Sequence, residues 1–509
     1  MTESGARRPN VLVVVLDCAR ADDFEHARAN GQRLPFLESF LKEGEYYPQT
    51  SAPAPWTIPS HASLFTGLYP WEHGCHAKSS LKLSADRGKL ATVLSAKGYR
   101  TLLLSANHLL SPDLGFSDGF QHNAWAGWWE PYLRFGGTTA PPNVNGASAG
   151  EVAAKPIVGR SGPIWRVIKR SSRLAYRYPF ILDGVGRVSS AIRSPEVERP
   201  IPVSPWIEPT LERWLGQTPR DQPVFCFVNL LETHEPYYPD PLYAPGFASW
   251  WRYSRTRQDH VGWLAGRWEP TSEEFAHLRD LYRQTFLRAD ARLAHIAELF
   301  RAAGRWDNTL VVVTSDHGQA FGEQGMLFHM LTLPEALVRV PLAVRRPEGT
   351  SGGSVARGWA SLVDVAPTVL TEVGEPGALP ASGVRLETVL DAARPGPIFS
   401  VADGLVWHTI VPDHEKANFS ERRKAAFDRI LACAHEGRYK VIFDPESSQF
   451  TAYDVVGDPL EAHELWAARS GELGALAEGA RLAAGRMTVA PPVEASPDVE
   501  ERLRSWGYI

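Results

Sequence analysis

Short runs of apolar and often β-branched residues recur along the chain. The first, NVLVVVL at 10–16, is apolar at nearly every position, which is typical of a parallel strand that is buried on both faces of a sheet. Such runs predict five strands, at 10–16, 100–104, 224–230, 308–314 and 338–344. Residues 90–98 and 282–303 instead repeat apolar positions at helical spacing, and each helix precedes one of these strands. The alternation predicts an α/β fold with a doubly wound, mainly parallel sheet.

The C-terminal part of the chain has a different pattern. Beyond about residue 395, several short strands and one charged helix, at 420–436, replace the long apolar strands. The total of 509 residues is also too large for one ordinary compact domain. We therefore predict an α/β domain at 1–394 and a smaller α+β subdomain at 395–509, whose last residues, 492–509, form a loosely docked tail.

Residues 121–205 interrupt the α/β pattern and are predicted to be an insertion. Gly and Pro are frequent there, and 151–199 carries ten Arg or Lys residues against four acidic ones. One interpretation is a solvated surface excursion. The other is a basic cap over an anionic substrate, or a patch that contacts an anionic membrane. Tryptophans in or near this region and its counterpart after His234 suit an amphipathic or aromatic substrate, although core packing must account for several; they include Trp128, Trp129, Trp165, Trp250, Trp251, Trp263 and Trp268.

Composition narrows the classes of function. A hydrophobic content of 44% and a charged content of 22% are those of a globular protein, and a net charge of −5 gives no reason to expect nucleic acid as a partner. The apolar run after the N-terminus is too short for a signal peptide or a membrane span, so we expect a cytoplasmic protein. The four cysteines are scattered without CxxC spacing, which argues against disulfides and a structural zinc site.

The segment PWTIPSHASLFTG at 55–67 contains a candidate nucleophile, Thr57. Pro59, two residues later, suits the first turn of a helix, so Thr57 is predicted at a helix N-terminus. Free backbone N–H groups and the helix dipole favour an anion or a developing alkoxide there. A Thr before a helix is more often only an N-cap, so the interpretation of Thr57 as a nucleophile depends on other polar groups.

Those groups lie at the ends of two predicted strands. Asp17 follows the strand at 10–16, and Asp316 and His317 follow the strand at 308–314. Ligands of open α/β sheets collect at the carboxyl ends of the strands. Two carboxylates and an imidazole bind a divalent cation, and the hydroxyl of Thr57 could complete the set. The alternatives are a helix cap at Asp17 and a turn at Asp316.

A series of short motifs runs in a fixed order along most of the chain. They are Asp17, Thr66-Gly67, Gly98-Tyr99-Arg100-Thr101, Thr233-His234-Glu235-Pro236-Tyr237, Ser315-Asp316-His317-Gly318, Val338-Arg339-Val340-Pro341-Leu342, Asp364-Val365-Ala366-Pro367-Thr368, and Tyr453-Asp454 with Asp458-Pro459-Leu460-Glu461. Together they resemble the sulfatase and alkaline-phosphatase superfamily of metal-dependent hydrolases. The resemblance implies an alkaline-phosphatase-like fold.

The resemblance also implies roles for individual residues. The positions of Asp17, Thr57, Asp316 and His317 are those that bind metal and attack the substrate. His234 matches the histidine that contacts the substrate oxyanion or protonates the leaving group, although it could be a structural group at a strand end. His329 falls where relatives carry a Lys or His near the substrate or at a second metal. Four other residues are weaker candidates that we interpret as polar loop groups: His61, His73, His76 and Lys78.

Three departures from the formylglycine sulfatases bear on the chemistry. Those enzymes carry Cys or Ser at the nucleophile position, Arg four residues later and commonly a second Asp after the first, where this chain has Thr57, His61 and Cys18. A thiolate at Cys18 could bind zinc, but a small buried side chain is the simpler interpretation. Because the site has one carboxylate fewer than those of the formylglycine sulfatases, a calcium site is disfavoured and a single manganese, zinc or magnesium ion is favoured. A second metal ion is an option.

The leading hypothesis is a metal-dependent hydrolase or transferase that cleaves a phosphate diester or monoester through a covalent Thr57 intermediate. The alternatives are a sulfuric-ester hydrolase that uses Thr57 without formylglycine, and a catalytically silent binding protein with this fold. The expected partner is an anionic small-molecule or lipid-like ester, with peripheral membrane contact as an option. The sequence leaves the oligomeric state open.

Overall fold

The computed structural model describes residues 8–29, 34–125, 144–145, 204–237, 256–258, 260–264, 266–404 and 429–487. Its strands are β1 (Asn10–Leu16), β2 (Glu45–Tyr46), β3 (Thr50–Ser51), β4 (Arg100–Ser105), β5 (His122–Trp125), β6 (Val144–Asn145), β7 (Val224–Leu230), β8 (Thr309–Thr314), β9 (Ala320–Phe321), β10 (Leu327–Phe328), β11 (Arg339–Val340), β12 (Leu342–Arg345), β13 (Ser354–Val355), β14 (Ala360–Ser361), β15 (Ile398–Ala402), β16 (Leu431–Glu436), β17 (Tyr439–Asp444) and β18 (Gln449–Asp454). Its α-helices are α1 (Ala21–Ala29), α2 (Pro35–Glu43), α3 (Thr57–Thr66), α4 (Pro70–His73), α5 (Leu90–Ala96), α6 (Ile207–Gly216), α7 (His260–Leu264), α8 (Ser272–Ala302), α9 (Glu335–Val338), α10 (Val365–Glu372), α11 (Glu387–Leu390), α12 (Trp466–Arg469) and α13 (Gly474–Arg486).

A mixed sheet forms the centre of the described structure, with nine strands in the order β13-β2-β12-β8-β1-β7-β4-β5-β6. Five central neighbours, β8, β1, β7, β4 and β5, run parallel to one another. β12 runs antiparallel to β8, and β6 runs antiparallel to β5. The mainly parallel α/β sheet predicted from the sequence is therefore confirmed.

Both faces of the sheet are buried, as the continuous apolar runs predicted. In β1, Val11, Val13 and Val15 pack into the core on the side of α3, α5 and α10. Leu12, Val14 and Leu16 pack into the opposite core, together with α1, α2, α6 and α8. A strand that contributes alternate residues to two cores must be apolar throughout, which is why NVLVVVL lacks the polar alternation of a half-exposed strand.

Several boundaries differ from the sequence expectation. Helix α8 begins at Ser272 rather than 282, because Thr271 and Glu274 form a capping box that starts it earlier. The strand predicted at 338–344 is divided at Pro341 into β11 and β12, which belong to different sheets. The strand predicted at 100–104 extends by one residue to Ser105.

The central sheet also extends into the predicted insertion. β5 pairs with β4, and β6 adds a further edge strand, so parts of 121–205 belong to the main fold. Most of the insertion lies outside the described residues, and so do Trp128, Trp129, Trp165, Trp250 and Trp251. The two remaining tryptophans, Trp263 and Trp268, are buried in the core, so packing explains them.

A second, antiparallel sheet of β15, β16, β17 and β18 forms the smaller C-terminal subdomain, with α13 packed on one face. The helix predicted at 420–436 is wrong over its last six residues, which form β16. Ala432 and Ala434 alternate there with Leu431 and Cys433, so that the first pair faces α13 and the second faces the α/β body. Residues 420–428 and 492–509 lie outside the described residues, and the division at residue 394 stays a prediction.

A buried ionic network joins this subdomain to the α/β body. The carboxylate of Glu335, in α9, accepts from Lys440 Nζ at 3.0 Å and lies 2.8 Å from His435 Nε2. Lys440 also forms an ion pair with Glu461 and donates to the carbonyl of Leu333 at 2.8 Å. Burial lowers the pKa of His435, but contact with Cys433 and Glu335 outweighs burial and raises the pKa to about 9. A protonated His435 therefore helps to hold the two parts together.

This network predicts a pH-dependent stability. Because the folded pKa of His435 is raised to about 9, its contribution is fully present below the unfolded pKa of ~6.5 and is lost as pH rises through the folded value. We expect His435→Gln to lower Tm clearly at about pH 6 and little at about pH 10. The loss of unfolding free energy should be larger at the lower pH, by on the order of 3 kcal/mol. Thermal unfolding of both proteins across this range measures it; a Tm difference that does not change with pH would contradict the assignment.

Candidate active site

The functional edge of the sheet lies where four neighbouring strands end. Asp17 follows β1, Asp316 and His317 follow β8, His234 follows β7, and Asn107 follows β4. Because β8, β1, β7 and β4 are adjacent and parallel, these residues emerge at one edge. The expectation that the two carboxylates share this edge is confirmed.

Thr57 is the first residue of α3, as its sequence context predicted. Trp56 precedes it in an extended conformation, and the Thr57 side chain is buried. Its Oγ1 lies 3.4 Å from His317 Nε2 and accepts from Asn107 Nδ2 at 3.4 Å. The hydroxyl is thus held at a helix N-terminus and directed at the residues that follow β8 and β4.

His317 connects the other candidate ligands. Its Nε2 lies 3.3 Å from Asp316 Oδ2 and 3.8 Å from Asp17 Oδ1. Its Nδ1 lies 2.9 Å from the carbonyl oxygen of Gly318, which can only accept, so the proton is on Nδ1 and Nε2 keeps its lone pair. Burial lowers the pKa of His317, with Asp17 opposing, which favours this neutral form. Its lone pair therefore faces two carboxylates.

The two carboxylates are electrostatically unequal. Burial and the charge of Asp17 raise the pKa of Asp316 well above its usual range. Burial also acts to raise the pKa of Asp17, but His234, His317, His61 and the hydrogen bond from Asn107 lower it overall. Asp17 is therefore held in its ionised form, whereas the negative charge of Asp17 opposes the ionisation of Asp316.

These residues fit a divalent cation. Asp316 Oδ2 is buried and has no hydrogen-bond partner among the described residues. A cation would give this oxygen a partner and would relieve the repulsion between the two carboxylates. Asp17, Asp316, His317 and the Thr57 hydroxyl supply three oxygen donors and one nitrogen, which suits manganese, zinc or magnesium.

His234 and His329 complete the set of predicted site residues. The rings of His329 and His317 have centroids 4.6 Å apart, and those of His329 and His234 are 5.4 Å apart. Burial lowers the pKa of His234, but Glu235 and Asp17 outweigh burial and raise it overall. The structure therefore brings together all six predicted residues: Asp17, Thr57, His234, Asp316, His317 and His329. Their individual roles stay predictions.

The prediction that His61 is a polar loop group is wrong. It lies inside α3, one helical turn after Thr57, and its side chain is buried. Its Nδ1 is 2.9 Å from the carbonyl of Thr57 and 3.3 Å from Asp316 Oδ2. Burial lowers the pKa of His61 to about 4, so the ring is neutral. The four-residue spacing from Thr57 was the available signal.

The other weak histidine candidates lie elsewhere. His73 ends α4, and its Nε2 lies 3.1 Å from Ser63 Oγ. His76 follows α4 and is buried.

A model of the sulfatase family matches residues 9–374, well over half of the chain. The chain belongs to the sulfatase family. Goat (Capra hircus) N-acetylglucosamine-6-sulfatase is 22% identical over 429 residues, which cover 80% of this chain and 66% of that protein. The chain thus spans about two thirds of that relative's length.

Solved structures support the same fold. The phosphonate monoester hydrolase of Agrobacterium radiobacter superposes with a TM-score of 0.58 at 20% identity and covers 94% of both chains. A structure solved in complex with its substrate D-glucosamine-2-N,6-O-disulfate gives a TM-score of 0.61 at 17% identity, over 94% of this chain and 98% of that one. At these identities the likeness shows the fold alone. The match of the family model over residues 9–374 confirms the predicted superfamily.

Within this sulfatase fold, two asparagines that the sequence analysis did not single out support Asp17. Asn107 Nδ2 donates to Asp17 Oδ2 at 2.8 Å, and Asn229 Nδ2 donates to the same oxygen at 3.3 Å. Thr233 Oγ1 donates to the backbone carbonyl of Asp17 at 2.6 Å. Asn229 was detectable as a polar residue inside the apolar strand VFCFVNL; Asn107 carried no comparable signal.

Two further residues of this sulfatase-family site were not assigned a role from the sequence: Glu235, which appears there only within a motif, and Gln319. Gln319 Nε2 donates to Glu235 Oε2 at 2.9 Å, and Gln319 Oε1 lies 2.8 Å from His329 Nδ1. Gln319 therefore links the loop that follows β7 to the loop that carries His329. No local pattern indicates this contact, since the two loops are far apart along the chain.

Proposed function

We propose that this sulfatase-family protein is a metal-dependent hydrolase or transferase of phosphate esters that uses Thr57 as its nucleophile. The observation that carries the proposal is the buried Thr57 hydroxyl at the start of α3, 3.4 Å from His317 Nε2. Thr has a methyl group on Cβ, so oxidation cannot convert it to the formylglycine aldehyde. An unmodified hydroxyl must therefore attack the substrate, form an ester and be released by a second attack. Phosphorus accepts that second attack readily when charge is stabilised.

A bound divalent cation would lower the pKa of the Thr57 hydroxyl and offset negative charge on the transferred group. Asp17, Asp316 and His317 would hold it together with Thr57 Oγ1. Asn107 Nδ2, 3.4 Å from Thr57 Oγ1, lies where it can donate to an oxygen of the bound phosphoryl group. The N-terminal turn of α3 adds a favourable dipole for the same anion.

The proton balance assigns a role to His234. Thr57 enters the reaction as an alkoxide, its oxygen bonds to phosphorus, and the bond from phosphorus to the leaving oxygen breaks. His234 gives that oxygen its proton. Water or another hydroxyl then attacks phosphorus and returns a proton to His234, and the Thr57 ester is cleaved. His329, whose ring neighbours both His317 and His234, helps to bind the anionic group.

A sulfuric ester is the second candidate substrate. It is favoured by the match to the sulfatase family model and by relatives whose names specify sulfatase activity. Such an enzyme would use Thr57 directly. A catalytically silent protein is the weaker alternative, because the whole donor set is present in one place.

The partner proposed here is an anionic small-molecule or lipid-like ester. None of the helices in the described part of the chain combines the length and hydropathy that crossing a bilayer requires. Peripheral membrane contact and the cytoplasmic location stay predictions.

A substrate panel tests the proposal. Purified protein is assayed with each of manganese, zinc and magnesium against nitrophenyl esters of phosphate (monoester and diester), phenylphosphonate and sulfate. We expect kcat/KM for the best phosphorus ester to exceed that for the sulfate by about 100-fold or more, roughly 2.7 kcal/mol of transition-state free energy. The Thr57→Ala protein, prepared identically, controls for contaminating phosphatases. A sulfate ester cleaved as well as the best phosphorus ester would favour the second candidate instead.

A further inference from the structure

A carboxylate of the C-terminal subdomain contacts the residue that precedes the candidate nucleophile. Asp403, directly after β15, is buried and accepts from the indole Nε1 of Trp56 at 2.7 Å. Its other carboxylate oxygen accepts from the backbone N–H of Ala77. Trp56 is also buried and is followed at once by Thr57, the first residue of α3. One side chain of the subdomain therefore ties together two segments of the α/β body, and one of these segments leads into Thr57.

Trp56 occupies the N-cap position of α3, where a side-chain oxygen usually accepts from the first turn of the helix. An indole carries a donor and no acceptor, so Trp56 cannot cap the helix in this way. Its N–H instead donates across the subdomain boundary to Asp403. The start of α3 is thus restrained by a contact from outside the helix.

The stretch before Trp56 is held by the same strand of the subdomain. Pro53 and Pro55 have no N–H, so this stretch cannot donate to a regular strand ladder. The carbonyl of Pro53 accepts from the N–H of Val401, in β15, at 2.9 Å. A backbone contact with β15 therefore holds one end of the stretch, and the contact between Asp403 and Trp56 holds the end that meets α3.

The backbone of Thr57 fixes its hydroxyl more firmly than the side-chain contacts do. Oγ1 lies 3.4 Å from Asn107 Nδ2 and 3.4 Å from His317 Nε2, and both distances are long for hydrogen bonds. The position of the oxygen therefore depends on where Trp56 places the first turn of α3. A misplacement of about 1 Å can cost on the order of 10²-fold in rate, so a restraint on Trp56 bears directly on kcat.

We propose that Asp403 is a positioning residue that, through the indole of Trp56, holds the start of α3 so that the hydroxyl of Thr57 is aligned for attack. Asp403 acts through Trp56 and does not touch the reacting atoms. The C-terminal subdomain then contributes to the reaction as well as to stability. This inference rests on the proposed function, because it requires Thr57 to be the nucleophile.

The ionised form of Asp403 suits this role. Burial raises its pKa to about 6, although hydrogen bonds from Ala77 and Trp56 and the charge of Lys78 oppose the rise. The carboxylate is therefore the main form in a buffer at about pH 8. Hydrogen bonds from N–H groups to an ionised acceptor are shorter and stronger than those to a neutral one, so Asp403 restrains Trp56 firmly.

Two substitutions test the contact. Asp403→Ala removes the acceptor, whereas Trp56→Phe removes the indole N–H and leaves the bond between Ala77 and Asp403 in place. We expect each change to lower kcat by roughly 10- to 100-fold on the best ester, with KM changed by less than about threefold, because the nucleophile rather than the substrate is displaced. The double variant should lose no more than the larger single loss, since both changes break one contact.

Ser400→Ala is the matched control from the same strand. Ser400 Oγ donates to the carbonyl of Ala52 at 2.7 Å, but the N–H of Ala52 is held independently by the carbonyl of Val338, also at 2.7 Å. We expect this variant to lower Tm, because a buried hydrogen bond is lost, and to keep the kcat of the wild-type protein. All rates are measured well below the lowest Tm, so that loss of folded protein does not contribute.

The outcomes separate this inference from the proposed function. A wild-type kcat in Asp403→Ala or Trp56→Phe, or losses that multiply in the double variant, would overturn the positioning role even if Thr57→Ala is inactive. So would an equal loss of kcat in Ser400→Ala, or a change in KM alone in Asp403→Ala, which would indicate direct contact with the substrate. Normal turnover by Thr57→Ala would instead reject the proposed function. If Asp403→Ala does not fold, Trp56→Phe decides the question.

Discussion

Thr57→Ala should lower kcat by several orders of magnitude, on the order of 10³-fold or more, while the protein remains folded. The reason is that Ala removes both the attacking oxygen and one of the donors of the proposed metal site. The Thr57 side chain is buried at the start of α3 and makes only long contacts, with Asn107 and His317 at 3.4 Å each, so its loss should change Tm little. Steady-state kinetics and thermal unfolding measure the two effects separately.

Thr57→Ser is the matched control for this result. Ser keeps the hydroxyl and loses only a methyl group, so we expect it to retain appreciable activity. Intact-mass analysis of the wild-type protein should show an unmodified Thr57 at rest and, with a slow phosphate ester, a phosphoryl adduct on that residue. Near-normal turnover by Thr57→Ala would exclude the covalent mechanism.

The second large effect is expected for Asp316→Asn. The substitution keeps the shape of the side chain but removes a metal-binding charge, so metal occupancy and activity should fall together, by about 10²-fold or more in kcat/KM. Chelation of the wild-type protein should have the same consequence, and added manganese, zinc or magnesium should reverse it. Elemental analysis and kinetics give the two readouts.

The metal-free stability of Asp316→Asn provides an independent check. Because the folded pKa of Asp316 is raised, its ionisation destabilises the metal-free protein once pH exceeds the unfolded pKa, and Asn removes that cost. We therefore expect metal-free Asp316→Asn to be at least as stable as metal-free wild type at neutral pH. Asp290→Asn, which changes a buried carboxylate that caps α2, should retain full metal content. Full metal and full turnover in Asp316→Asn would remove Asp316 from the site.

The sequence by itself determined the elements whose pattern is local. β1, β7 and β8 were predictable because a strand that is buried on both faces must be apolar throughout. Thr57, Asp17, Asp316 and His317 were predictable because they follow a strand or begin a helix, and because their order along the chain resembles one superfamily. Helix α8 was predicted with the wrong start, although the capping box at Thr271 was visible in the sequence.

Only the tertiary structure decided which distant residues meet. Asn107 and Asn229 reach Asp17 because β4, β7 and β1 are neighbours, and the order of strands in a sheet is not encoded in the pattern of any one strand. Gln319 joins His329 to Glu235 for the same reason. β16 became a strand because its alternate small residues pack between α13 and the α/β body, and such burial depends on partners that lie far away along the chain. Local preference fixed most of the elements, whereas long-range packing fixed β16 and the site.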